Sequence, residues 1–128
     1  MRYLLDTHAL LWWLNDAPQL SETARRIIGA PSNEIHVSAA SAWEIATKFT
    51  KGRLPTASLL LPDFAAVINN EGFRELAISS AHMVRSALLP GPHRDPFDRI
   101  LAAQSITEDM ALISLDRDIP PLGVITVW

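Results

Sequence analysis

Asp6 closes one apolar run, Tyr3-Leu4-Leu5, and Asp116 closes another, Leu112-Ile113-Ser114-Leu115. Glu44 falls in the first turn of a predicted helix, and Asp95 and Asp98 open a further one near Phe97. If the two apolar runs are neighbouring strands, both of their carboxylates stand at one rim of a sheet, and four or five acids collect there. Such acids repel: two carboxylates ~4 Å apart cost about 4 kcal/mol at an effective dielectric of 20. Several such pairs would consume much of the ~5–15 kcal/mol that keeps a domain folded. Protonation or a divalent cation would have to offset that repulsion. The chain has no cysteine, so an all-oxygen donor set points to Mg²⁺ or Mn²⁺ rather than zinc. The chemistry such a site offers is phosphodiester hydrolysis, because the ion acidifies water and stabilises charge on phosphoryl oxygens.

Each acid also has a local explanation. Ser41-Ala42-Trp43-Glu44 matches a capping box, in which the Glu reaches back to the N-cap N–H. Asp95 before Pro96 is a good N-cap with proline at N1, which leaves Asp98 at N3, where an acid favours the helix dipole. Asp6 and Asp116 could simply end strands, since Asp is common in turns. His8 reads as a polar side chain near a helix start, and Lys48 as an i,i+4 partner of Glu44. Asp118 reads as a turn residue. Only the convergence of the acids would make a site of them.

The elements that must position these residues can be read from the apolar pattern and its punctuation. Pro18, Gly29 to Pro31, Gly52 to Pro55, Pro62, Pro90 to Pro92, Pro120-Pro121 and Gly123 cut the chain into short pieces. Strands are predicted over 2–5, 34–37, 75–78, 111–115 and 124–127, and helices over 9–14, 22–28, 42–50, 60–70, 80–88 and 97–109. Ser21 should N-cap the second helix and Gly29 should be its C′ residue. Strands apolar along their length and alternating with helices imply an α/β fold: a mostly parallel sheet of about five strands, covered on both faces. Ligands of such sheets bind beyond the carboxyl ends of the strands.

At 128 residues the chain suits one domain, 1–128. Apolar residues make up 48% and charged residues 20%, which excludes a disordered tail and predicts a packed core. The early apolar stretch, Ala9 to Leu14, falls well short of the ~18 residues of a membrane span. No basic segment followed by an apolar core and a small-residue cleavage site opens the chain. A cytoplasmic protein without membrane association is expected. The net charge of −3 leaves nucleic acid open as a partner, since a nucleic-acid enzyme can gather its Arg and Lys around one cleft. Trp12 and Trp13 point about 100° apart on a helix. One face can hardly bury both, so either both are partly buried or one meets a partner.

Four blocks of residues together resemble a known family. They are Leu4 to Trp12 (LLDTHALLW), Val37 to Ile45 (VSAASAWEI), His93 to Gln104 (HRDPFDRILAAQ) and Leu112 to Asp118 (LISLDRD). In this order they are similar to the signature blocks of PIN domains, above all those of VapC-type toxins of bacterial toxin–antitoxin pairs. The resemblance implies a three-layer α/β/α nuclease in which Asp6, Glu44, Asp98 and Asp116 form an acidic quartet around Mg²⁺ or Mn²⁺. Asp95 is a fifth candidate, ligand or helix cap. The implied reaction is endonucleolytic cleavage of RNA by metal-activated water. Asp6, Asp98 and Asp116 would hold metal, and Glu44 would hold metal or orient water. Ser114 fills the place where the family often has Thr or Ser. Arg94, Arg99 and Arg117 flank the acids and are candidates for phosphate contacts or for local ion pairs. A cognate antitoxin and a homodimer are implied as partners.

Two other readings compete. A catalytically silent domain could keep the fold and use its cleft to hold RNA or protein. An aspartyl phosphotransferase would carry phosphate on Asp6, but an acid two residues further on would be expected there, and this chain has His8.

Overall fold

The computed structural model describes residues 1–128. Five parallel strands, β1 (Arg2–Leu5), β2 (Glu34–Ser38), β3 (Arg74–Leu76), β4 (Ala111–Ile113) and β5 (Thr126–Val127), form one sheet in the order β3-β2-β1-β4-β5. Six α-helices connect them: α1 (Thr7–Leu14), α2 (Glu22–Gly29), α3 (Ala39–Thr50), α4 (Phe64–Asn70), α5 (Ser80–Leu88) and α6 (Pro96–Thr107). The expected three-layer α/β/α architecture is therefore present, and the sheet is wholly parallel.

Alternation along the strands explains the two cores. Tyr3, Leu5, Ile35, Val37 and Ile113 face a cluster with Leu10 of α1, Ala24 and Ile28 of α2, Ile45 of α3 and Ile68 of α4. Leu4 and Leu112 point to the other face and pack with Leu101 and Ala102 of α6, Met110, Ile119, Leu122 and Val124. Because side chains alternate with period 2, strands filled on both faces must be apolar throughout.

The chain winds outward from β1 in both directions, to β2 and β3 on one side and to β4 and β5 on the other. The crevice between β1 and β4 is thus the point at which the strand order reverses, where open α/β sheets bind ligands. Leu5 pairs with Ile113, and the Asp6 N–H donates to the Ile113 carbonyl at 3.1 Å. The chain segments carrying Asp6 and Asp116 therefore leave the sheet side by side.

Several element boundaries differ from expectation for identifiable reasons. α3 begins at Ala39, three residues early, because Ser38 and not Ser41 is the cap: its Oγ accepts from the Ala40 N–H at 3.0 Å. Ala39 and Ala40, strong helix formers, are thereby drawn into the helix. Pro62 keeps α4 from starting at residue 60. Two short 3₁₀ turns, Pro55–Leu59 and Leu61–Asp63, come first, and Asp63 caps α4 by accepting from the Ala66 N–H. Gly29 ends α2 inside the helix without the left-handed conformation of a C′ glycine; its α-carbon faces the Trp13 ring instead. β4 stops at Ile113, so Leu115 is exposed rather than a strand residue. No helix is long and apolar enough to cross a membrane.

Candidate active site

Asp6 directly follows β1 and caps α1, its carboxylate accepting from the Ala9 N–H at 2.7 Å. This single bond serves two ends: it satisfies one of the four free N–H groups of a helix start and fixes the carboxylate at the sheet rim. Asp6 is almost fully buried. Burial pushes its carboxyl above the usual carboxylate range, and the Ser114 hydroxyl beside it pulls it partly back.

Glu44 faces the same cleft from the second turn of α3. The shift of the helix start removes its capping box, so its position is not a local device. Both of its oxygens are held by side chains: Thr7 Oγ1 lies 2.6 Å from Oε1, and Lys48 Nζ lies 2.8 Å from Oε2. Thr7 Oγ1 is also 3.0 Å from Ser41 Oγ. Ser41, read as a cap, is a buried link in this chain of hydroxyls. Lys48 is the i,i+4 partner expected for Glu44.

Asp98 enters from the first turn of α6. Its carboxyl is pushed up to about 6, chiefly by burial; a hydrogen bond from His93 pulls down, and the charges of Asp95 and Asp116 push up. Asp116 lies beyond β4, its backbone fixed by an N–H bond to Ser114 Oγ at 3.1 Å while its Oδ1 accepts from the Asp118 N–H. These residues line one cleft of about 310 Å³, together with Asp95, His8 and Trp12. The structure thus brings together Asp6, Glu44, Asp98, Asp116 and Asp95.

The remaining candidates divide. Asp95 acts as the N-cap of α6, its Oδ1 accepting from the N–H groups of Phe97 and Asp98 at 2.9 and 3.3 Å. Ser114 is buried behind the acids, which makes it a support for Asp6 and Asp116 and not a surface that meets substrate. Arg94 and Arg117 are exposed, and neither lines the cleft.

Arg99 departs from both roles expected of it. Its Nε, Nη1 and Nη2 donate to the carbonyls of Ser86, His93 and Leu89 at 3.1, 3.0 and 2.6 Å. The guanidinium ties the end of α5 and the loop after it to α6, and three of its five N–H groups are spent on carbonyls, none on an acid. Charged donors to three carbonyls contribute about 2–4 kcal/mol together. Arg99→Ala should accordingly lower the melting temperature by roughly 10 °C in thermal unfolding. Arg99→Lys should restore only a minor part, since one ammonium cannot span three acceptors fixed by a planar fork.

Sequence reasoning did not single out His93. Its Nε2 lies 2.8 Å from Asp98 Oδ2, and this bond holds the imidazole pKa above its usual value. The only signal was its place in the His93-Arg94-Asp95-Pro96 run, which carries no cap or periodicity cue for that ring. Trp12 and Trp13 are each partly buried: Trp12 packs between His8 and Trp128, and Trp13 against Phe73 with its indole N–H on Glu71. Trp43, adjacent to Glu44, is the exposed tryptophan at 64%, with Phe97 against its ring.

Comparison with known proteins places this geometry. The fold is similar to that of a chain of VapBC2 from Rickettsia felis, solved bound to a DNA fragment from its promoter: TM-score 0.71, 18% identity, covering 99% of this chain and 98% of that one. A chain of FitAcB from Neisseria gonorrhoeae aligns with TM-score 0.66 and 15% identity, over 98% and 96% of the two chains. A chain of a toxin–antitoxin complex from Klebsiella pneumoniae aligns with TM-score 0.57 and 21% identity, over 98% and 96%. At these identities the likeness is one of fold. Comparison with curated proteins gave no match. The family model of the PIN domain matches residues 3–123, a span that contains every acid of the cleft, and the chain therefore belongs to the PIN domain family.

Proposed function

We propose that this PIN domain is a Mg²⁺- or Mn²⁺-dependent endoribonuclease and the toxin of a toxin–antitoxin pair. The observation that carries the reading is the meeting of Asp6, Glu44, Asp98 and Asp116, from four separate segments, in one cleft at the point where the strand order reverses. The donor set fits a hard divalent cation: carboxylate oxygens with no thiolate. Burial already makes the charged forms of Asp6 and Asp98 costly, a cost that a bound cation would offset.

In this reading Asp6, Asp98 and Asp116 hold the ion. When bound it supplies Lewis acidity, acidifying water and stabilising charge on the phosphoryl oxygens. Glu44 has both oxygens anchored, by Thr7 and Lys48, which suits it to orient water more than to wrap a cation. Ser114 sets the spacing of Asp6 and Asp116. Arg94 and Arg117, exposed and next in sequence to Asp95 and Asp116, are the candidates for phosphate contacts. RNA as substrate, a homodimer and a cytoplasmic setting follow only from the resemblance to VapC-type toxins; for a cognate antitoxin, the fold shared with a chain of the Klebsiella pneumoniae toxin–antitoxin complex adds support.

Induced expression of the chain alone in a bacterial host should arrest growth within a few generations and degrade RNA. Asp6→Asn, accumulated to the same level, should leave growth unaffected. Equal arrest by Asp6→Asn would overturn the reading.

A further inference from the structure

The loop between α5 and α6 brings a ring nitrogen, that of His93, up to Asp98 at the edge of the acidic cleft. A ring nitrogen of His93, a carboxylate oxygen of Asp98 and one of Asp116 all lie within 4.8 Å of one another, and His93 Nε2 is 2.8 Å from Asp98 Oδ2. Donors bound 2.0–2.2 Å from a cation in an octahedral array are ~3 Å apart when adjacent and ~4.2 Å when opposite. The His93 to Asp98 spacing is already that of adjacent ligands. Asp116, which is partly exposed, supplies the third donor atom, within 4.8 Å of the other two.

The backbone that carries the ring is held in place. Arg99, one residue after Asp98 on α6, grips the carbonyls of both His93 and Leu89. Asp95, between His93 and Asp98 in sequence, spends its Oδ1 on the helix N–H groups. Of His93 and Asp95, it is His93 whose donor atom lies at contact distance from an Asp98 carboxylate oxygen.

We propose that His93 is a direct nitrogen ligand of the divalent ion, completing a His93–Asp98–Asp116 donor triad. The proposal rests on the reading above that Asp98 and Asp116 hold metal. To hold the ion, Nε2 would have to be free of hydrogen, any proton there passing to solvent, with the neutral ring protonated on Nδ1. A mixed nitrogen and oxygen site should favour a first-row transition ion over Mg²⁺, which takes oxygen ligands.

The test uses the full chain loaded with less than one equivalent of Mn²⁺ and pulsed electron paramagnetic resonance, which detects nitrogen bonded directly to the ion. The expected result is a nitrogen coupling in the parent protein that is absent in His93→Gln and in His93→Ala and retained in His8→Gln. By calorimetry, His93→Gln should weaken Mn²⁺ binding at least ~10-fold and Mg²⁺ binding less. Bound Mn²⁺ without nitrogen coupling, or coupling that survives both His93 variants, would overturn the triad and leave the carboxylate site standing. Failure of the parent protein to bind Mn²⁺ at all would overturn both.

Discussion

Asp98→Asn should cleave RNA at least ~10³-fold more slowly than the parent protein at pH 7 in excess Mn²⁺, while folding normally. Asn keeps the shape of the side chain and one oxygen but removes the negative charge. If Asp98 holds a cation that stabilises a phosphoryl transition state, several kcal/mol of that stabilisation goes with the charge, and each 1.36 kcal/mol is a factor of ten in rate. The fold should not suffer in parallel. Without metal, the Asp98 carboxylate is destabilised by burial and by Asp95 and Asp116, so a neutral isostere relieves repulsion even as it changes the bond to His93. Loss of activity with a melting temperature equal to or above that of the parent separates a chemical role from a structural one. An unchanged rate would remove Asp98 from the site.

The second large effect is on stability. Saturating Mn²⁺, at about 100 times its dissociation constant, should add about 2.7 kcal/mol of stability and raise the melting temperature by roughly 10 °C at pH 7. In the metal-free protein, pH should act in the direction set by the raised carboxyls. A group whose pKa is higher folded than unfolded contributes stability that is complete below its unfolded value and is lost as pH rises through the folded one. For Asp98 that loss runs from 3.8 to about 6. Asp6 acts in the same sense, and so does His93, whose contribution is complete below 6.5 and lost as pH rises through its raised value. Glu34 is held below its usual value by His36, so its contribution is lost only as pH falls below 4.5. Between pH 5 and 8 the metal-free protein should therefore lose about 1–2 kcal/mol, after allowance for the partial exposure of Asp98, or roughly 4–8 °C. Added Mn²⁺ should flatten or reverse that slope, because it favours the ionised forms. Thermal scans at four pH values, with chelator or with Mn²⁺, check both statements.

What the sequence made legible follows from how local each signal is. Strand and helix alternation is carried by apolar runs, and the Asp95-Pro96 cap by two adjacent residues. Both survive in the structure. Asp6 and Asp116 could be paired because each closes an apolar run, and β1 beside β4 is the arrangement that makes those ends meet. Glu44 was placed in the right helix with the wrong local role. Two serines three residues apart, Ser38 and Ser41, compete to cap α3, and the choice between them depends on where β2 lets go of the sheet. His93 and Arg99 were beyond local reading altogether. An isolated histidine among prolines has no periodicity, and an arginine flanking an acid looks like a phosphate contact. Only the folded chain shows the carbonyls of Ser86 in α5 and of Leu89 and His93 in the loop turned toward that guanidinium.

The most direct measurement is cleavage of a labelled pool of cellular RNA by the purified, chelator-stripped chain, with Mn²⁺ or Mg²⁺ added back across a concentration series. Cleavage that is absent with chelator, saturates with added metal, and is lost in both Asp6→Asn and Asp98→Asn is the predicted result. RNA left intact at saturating Mn²⁺ and Mg²⁺, or cut equally well by the two variants, would contradict a metal-dependent nuclease built on these acids.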